Sequence, residues 1–161
     1  MSNRMKMKTL LLFSATALFL IACKKNDSGC MSVAPADEAG AIATFCLDYG
    51  IDYTVDSNGI YYEIVDPGSG ATASLDSLIT VTYTTSLLNG DVVEDHSDSA
   101  ITLPLNKFIE GWRIAIPYIH EGGHIKMVIP SALAYGCSGS AGVVPPDSPL
   151  YYDVVLIKVS H

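Results

Sequence analysis

The sequence predicts an α+β domain, an antiparallel sheet packed by one face on a single short helix, with a small helical extension ahead of it. Three observations carry this. In Leu78 to Leu88, Ile79, Val81 and Tyr83 alternate with Thr80, Thr82 and Thr84, and the run ends in Asn89-Gly90, a strong hairpin-turn pair. Within the strand-rich part, Lys107 to Ile116 is the best helix candidate, kept short by Gly111 and Pro117. Two further strand patterns, separated by a long loop, close the chain.

The elements follow in order. Arg4, Lys6 and Lys8 precede an apolar run from Leu10 to Ile21, too short for the roughly 20 residues a bilayer span needs. Residues 1–22 therefore read as a signal segment and 23–34 as a polar tether. Pro35-Ala36-Asp37-Glu38 has the proline and acids of a helix start, and Ile42, Phe45, Cys46 and Tyr49 follow at helical spacing. Gly50 suits the stop. This amphipathic helix belongs to an extension, residues 35–58, expected to pack on the main domain at 59–161.

In that domain Ile60 to Val65 is the first strand, ended by Asp66-Pro67-Gly68. Val92-Val93-Glu94 continues after the hairpin, and Ala100 to Leu105 is a short extended segment. Ile125, Met127 and Ile129 alternate up to Pro130. Leu150 to Val159 is apolar on both faces, as a central strand should be. About 100 residues are enough to bury a self-sufficient core.

The 161 residues include 17 acidic and 9 basic ones. Loss of the signal segment would leave six basic residues and a net charge of −11. Such a chain is repelled by phosphate backbones, which argues against nucleic-acid binding. After Cys23, the cysteines are Cys30, Cys46 and Cys137, an odd number, so at least one stays free or pairs between chains. Cys30 with Cys46 would tie the tail to its helix; Cys137 reads as a small half-buried side chain. His120 and His124 are four apart, but Gly122-Gly123 between them indicates a turn rather than a helical metal-ligand pair.

Three stretches carry a resemblance: Ile109-Glu110-Gly111-Trp112, Ile129-Pro130-Ser131-Ala132-Leu133-Ala134-Tyr135-Gly136, and Gly142 to Tyr152 with Val143-Val144-Pro145-Pro146. In this order and spacing the chain resembles the FK506-binding-protein (FKBP) family of peptidyl-prolyl cis-trans isomerases, over about residues 59–160. The resemblance implies a curved sheet wrapped around the short helix. It also implies rotation of Xaa-Pro imide bonds in polypeptide substrates, and a pocket that accepts macrolide-type inhibitors. Peptide C–N rotation costs roughly 18–20 kcal/mol, and the twisted, less polar imide is favoured by a water-poor apolar pocket. The reaction requires no nucleophile, metal or cofactor.

By the resemblance, Trp112 is the pocket floor on which the proline ring rests, although an isolated tryptophan on a helix would read as core. Phe108 and Ile109 form the wall beside it, and the Ile109 N–H binds a ligand carbonyl. The Tyr135 hydroxyl binds a substrate carbonyl. Tyr83 lines the pocket, Tyr152 takes a place usually held by Phe, and Val143 and Val144 sit in the loop stiffened by Pro145-Pro146. The departures lie on the other wall. Val93 and Glu94 stand where the family shows an aromatic and then Asp, Ile101 replaces a common Phe, Thr85 replaces a Gly, and Ser140 lies where some members carry His. An altered wall leaves a second expectation open, a weakly catalytic binding or chaperone module.

Leu20-Ile21-Ala22-Cys23 resembles a bacterial lipobox. That implies lipid modification of Cys23 and anchoring in the cell envelope; Lys24 instead of Asp goes with outer-membrane sorting, facing the periplasm or the surface. Oligomeric state is not readable from the sequence.

Overall fold

The computed structural model describes residues 29–160; the signal segment and Cys23 lie outside the described residues. The extension forms helix α1, Pro35–Asp48, with Pro35 at its start and Asp37 and Glu38 in its first turn. It stops where expected. The Ile51 N–H reaches back to the Cys46 carbonyl at 2.8 Å, across Gly50 at φ +65°, a conformation glycine adopts without a steric cost.

Seven strands follow: β1 Thr54–Val55, β2 Tyr61–Asp66, β3 Leu78–Leu87, β4 Val92–Asp95, β5 Ile101–Pro104, β6 His124–Ile129 and β7 Leu150–Ser160. They form one antiparallel sheet in the order β1-β2-β6-β7-β3-β4. The ten-residue β3 divides one edge between two short partners, β5 opposite Leu78 to Val81 and β4 opposite Thr84 to Ser86. Register shifts at Ile64/Asp66, Thr80/Val81 and Thr85/Ser86 bend the strands, since an extra residue on one side of a ladder kinks it and adds twist.

The sheet curves around α2, Glu110–Ala115. The expected helix over 107–116 is shorter because Phe108 and Ile109 are non-helical and separate it from the 3₁₀ turn Leu105–Lys107, while its other end passes into the 3₁₀ turn Ile116–Tyr118, which contains Pro117. A Cβ at Gly111 would collide with the side chain of Ile129, so glycine lets the helix lie close on β6.

The two sheet faces bury different helices. Ile79, Val81 and Tyr83 of β3, Ile125, Met127 and Ile129 of β6 and Tyr152, Val154 and Leu156 of β7 pack with Trp112, Ala115, Ile116 and Ile119. On the opposite face the row Tyr61–Val128–Tyr151 packs under Ile42, Phe45 and Cys46 of α1. β7 is therefore less symmetric than its composition predicts. Leu150, Tyr152, Val154 and Leu156 are buried, whereas Tyr151, Asp153 and Val155 are half-buried, because α1 covers only one end of the back face.

Cys46 points into that second cluster and is a free thiol, pushed up to about 11 by burial. The Cys30–Cys46 pairing that the sequence leaves open is not formed. Cys30 instead bonds Cys137, with their Cα atoms 5.6 Å apart, because the chain ahead of α1 runs alongside the loop after β6.

Candidate functional site

The alternation of β3 turns Tyr83 to the α2 side, and Trp112, the only tryptophan of the chain, rises from α2 to meet it. The two rings meet edge to face, with centroids 5.1 Å apart and planes at 77°. Tyr152 of β7 makes a second edge-to-face contact with Trp112, at 5.4 Å and 88°. Phe108 lies nearly parallel to the indole, at 4.6 Å and 8°. Edge-to-face and stacked geometries suit the ring quadrupoles, so the four rings brace one another. Trp112 is 1% exposed and forms a rigid floor.

Above it opens a cavity of about 320 Å³, lined by Tyr83, Glu94, Ile101, Leu103, Lys107, Phe108, Ile109, Trp112, Tyr135 and Tyr152. Tyr83, Glu94, Trp112, Tyr135 and Tyr152 are thus brought together, along with Ile101, Phe108 and Ile109. Val93, Val143 and Val144 are not in the lining. Val93 is half-buried against the main core. Val144 is 4% exposed and belongs to that core, while Val143 is 51% exposed. Both loop valines border a separate concavity of about 280 Å³ with Ser140 and Pro145-Pro146. Leu103 and Lys107 line the main cavity unforeseen. Leu103 was legible in principle, since it lies two residues beyond Ile101 on the same strand and so shares its face. Lys107 carried no signal apart from its place beside Phe108.

Polar groups sit at the rim. The Tyr83 hydroxyl donates to Glu94 Oε2 at 2.9 Å. Burial, then this hydrogen bond and the negative charge of Glu94, raise the Tyr83 hydroxyl well above its ordinary range, so it stays a neutral donor. Burial raises Tyr152 likewise. Tyr135 is 39% exposed and also raised, by burial and then by Glu94. Among the described residues its hydroxyl makes no hydrogen bond, which leaves it available to a ligand. Ile109 caps α2 through its carbonyl, which accepts from Trp112 at 3.1 Å and Arg113 at 3.3 Å. Its own N–H has no partner among the described residues. The site therefore offers an aromatic cup, with the Tyr135 hydroxyl and the Ile109 N–H unpartnered among the described residues. Among the described residues no group of three His, Cys, Asp or Glu could hold a metal ion.

Residues 70–157 match the family model described as FKBP-type peptidyl-prolyl cis-trans isomerase. The FK506-binding protein of Neisseria meningitidis serogroup B is 37% identical over 105 residues, covering 63% of this chain and 96% of that protein. The peptidyl-prolyl cis-trans isomerase Mip of Coxiella burnetii is 33% identical over 105 residues, 64% of this chain and 46% of that one. The crystal structure of FkpA from Escherichia coli superposes with a TM-score of 0.69 at 29% identity, covering 79% of this chain and 61% of that one. The chain spans less than half the length of the first curated relatives it matches, 39% and 46%.

Proposed function

Because the chain belongs to the FKBP-type peptidyl-prolyl cis-trans isomerase family, we propose that it catalyses rotation about Xaa-Pro imide bonds of polypeptides in the cavity over Trp112. The observation that carries this reading is the cup itself, a buried indole floor with Phe108, Tyr83 and Tyr152 packed around it and the Tyr135 hydroxyl free at its edge.

The proline ring rests on Trp112. The Ile109 N–H and the Tyr135 hydroxyl bind backbone carbonyls of the substrate outside the rotating imide. Rotation breaks the amide resonance and reduces the polarity of the imide, so an apolar site disfavours the planar forms more than the twisted one. The seated ring fixes one end of the imide C–N bond, and the carbonyl ahead of the ring is the group that turns about it. Uncatalysed isomerisation takes tens to hundreds of seconds at 25 °C, which sets the background for an assay.

The test is acceleration of cis-trans conversion in Xaa-Pro peptides by the full-length chain, with a macrolide inhibitor as control. Trp112→Ala should abolish both acceleration and peptide binding. Binding without acceleration would favour the second reading, a binding or chaperone module with little catalysis. Ile101 motivates that reading, since it puts an aliphatic wall in the cavity where the family often has an aromatic one.

The cellular setting belongs to the same proposal. Cys23 would carry the lipid that anchors the domain to the cell envelope, with extracytoplasmic proteins as substrates and the outer membrane as the site. The lipobox resemblance supports it. Membrane fractionation of Cys23→Ser tests it: release into the soluble fraction is expected, and retention would refute the anchor.

A further inference from the structure

The chain leading into α1 is fastened to the loop that carries Tyr135. Cys30 is disulfide-bonded to Cys137. The Cys137 N–H donates to Ser32 Oγ at 3.2 Å, and the Val33 N–H donates to Asp147 Oδ1 at 3.4 Å. Within α1, the buried Glu38 accepts from the N–H and the hydroxyl of Ser131, at 2.8 and 2.5 Å. Positions 131, 137 and 147 bracket Tyr135 in sequence. The loop is also closed on itself, since the Asp147 N–H donates to the Gly136 carbonyl at 2.9 Å.

Cys137 is the middle residue of the 3₁₀ turn Gly136–Ser138, none of whose residues is buried. The Gly139 N–H closes that turn onto the Tyr135 carbonyl at 3.1 Å. Tyr135 and the turn therefore move together, and the turn has no buried side chain to hold it. It is held by the Asp147 N–H on the Gly136 carbonyl and, from outside the loop, by residues 30–33. Ser32 Oγ also occupies the space a Cβ on Gly136 would take, so the strap lies directly against the backbone next to Tyr135.

We propose that residues 30–38 are a clasp that aims Tyr135 at the cavity, with Ser32 and the Cys30–Cys137 link as positioning residues for the reaction. This rests on the reading of Tyr135 as a substrate-binding group. A dithiol opens the clasp: dithiothreitol gives up two electrons and two protons as it closes to its cyclic disulfide, and Cys30 and Cys137 become thiols. A Tyr135 hydrogen bond made to planar and twisted imide alike affects binding more than turnover, so opening the clasp raises KM and leaves kcat in place. Loss of folded protein would do the opposite, lowering apparent kcat at constant KM.

The experiment compares the full-length chain, oxidised and dithiothreitol-treated, with the double variant Cys30→Ser/Cys137→Ser and with Tyr135→Phe, using an Ala-Pro peptide. Reduction is expected to raise KM about tenfold, within the roughly hundredfold that a group misplaced by about 1 Å can cost. The double variant should match the reduced chain and ignore dithiothreitol. In Tyr135→Phe, reduction should leave KM unchanged, because the positioned hydroxyl is gone. Equal KM in both redox states overturns the proposal, and so does a redox effect that persists undiminished in Tyr135→Phe. If the oxidised chain accelerates nothing, the isomerase reading falls alone, and the same comparison is made on peptide Kd followed by Trp112 fluorescence. A redox-dependent Kd that Tyr135→Phe abolishes supports the clasp; a redox-independent Kd overturns it.

Discussion

Tyr83 and Glu94 are joined across the β3–β4 edge by a 2.9 Å hydrogen bond from phenol to carboxylate. Glu94 stands opposite Thr85 in the ladder, two residues along from Tyr83, so its longer side chain has to reach diagonally to make the contact. The bond spans the cavity rim and keeps the Glu94 carboxylate directed at a donor. Tyr83→Phe removes that donor and should cost about 1 kcal/mol of stability, the usual net value of one hydrogen bond. Glu94→Gln retains an acceptor and should cost less. Urea denaturation of the two variants checks the order.

Alkaline pH offers a second test. Tyr83, Tyr151 and Tyr152 are each raised above the ordinary value of 10.0, first by burial. Tyr118 is pushed up to about 12 by burial and then by its hydrogen bond to Asp56, 2.9 Å long. A raised folded-state value means that the folded protein prefers the protonated phenol. The resulting stability is complete below the unfolded value of 10.0 and is lost as pH climbs through the folded one. Urea midpoints should therefore hold up to about pH 10 and fall beyond it. Tyr118→Phe should make the fall shallower between 10.0 and about 12. An unchanged slope would mean that Tyr118 titrates normally.

Glu38 is the third case. It is 8% exposed, and its carboxylate accepts both polar hydrogens of Ser131. Ser131 starts the 3₁₀ turn Ser131–Leu133, so Glu38 satisfies a donor that the turn leaves open. Glu38→Ala would strand two buried groups, at about 1–3 kcal/mol for an unsatisfied partner. Glu38→Gln can keep one acceptor and should lie between Glu38→Ala and the parent chain in thermal denaturation.

Local pattern revealed much of this fold. The alternation in β3, the stop at Pro130 and the helix around Trp112 all follow from spacing, and the aromatic floor is implied by the family resemblance that Ile109-Glu110-Gly111-Trp112 carries. Contacts distant in sequence did not. Glu38 read only as a first-turn acid, because nothing local shows that Ser131 lies 93 positions away at hydrogen-bond distance. Cys30 could equally have met Cys46 or Cys137, since loop closure depends on chain path rather than residue type. β1, Thr54–Val55, is too short to display a period. Val143 and Val144 were expected at the pocket, but the loop's own turn gives them a separate concavity, with the Ser140 N–H bonded to the Val144 carbonyl at 2.8 Å.

The placement of Ile101 and Val93 separates two positions that the sequence treats alike, both aliphatic where the family tends to be aromatic. Ile101 lines the cavity, and Val93 does not. Ile101→Phe should therefore add an aromatic wall facing the proline ring, worth about 0.5–1.5 kcal/mol, or roughly two- to tenfold in peptide affinity. Val93→Phe has no such route and should leave peptide affinity unchanged, with its effect confined to stability through crowding of the core contact. Titration of an Xaa-Pro peptide against Trp112 fluorescence reads both. A gain at 93 with none at 101 would reverse the assignment of the wall. A loss at Ile101→Phe would mean that the 320 Å³ cavity is already filled by the proline ring, making the aliphatic wall part of the fit rather than a weakened version of it.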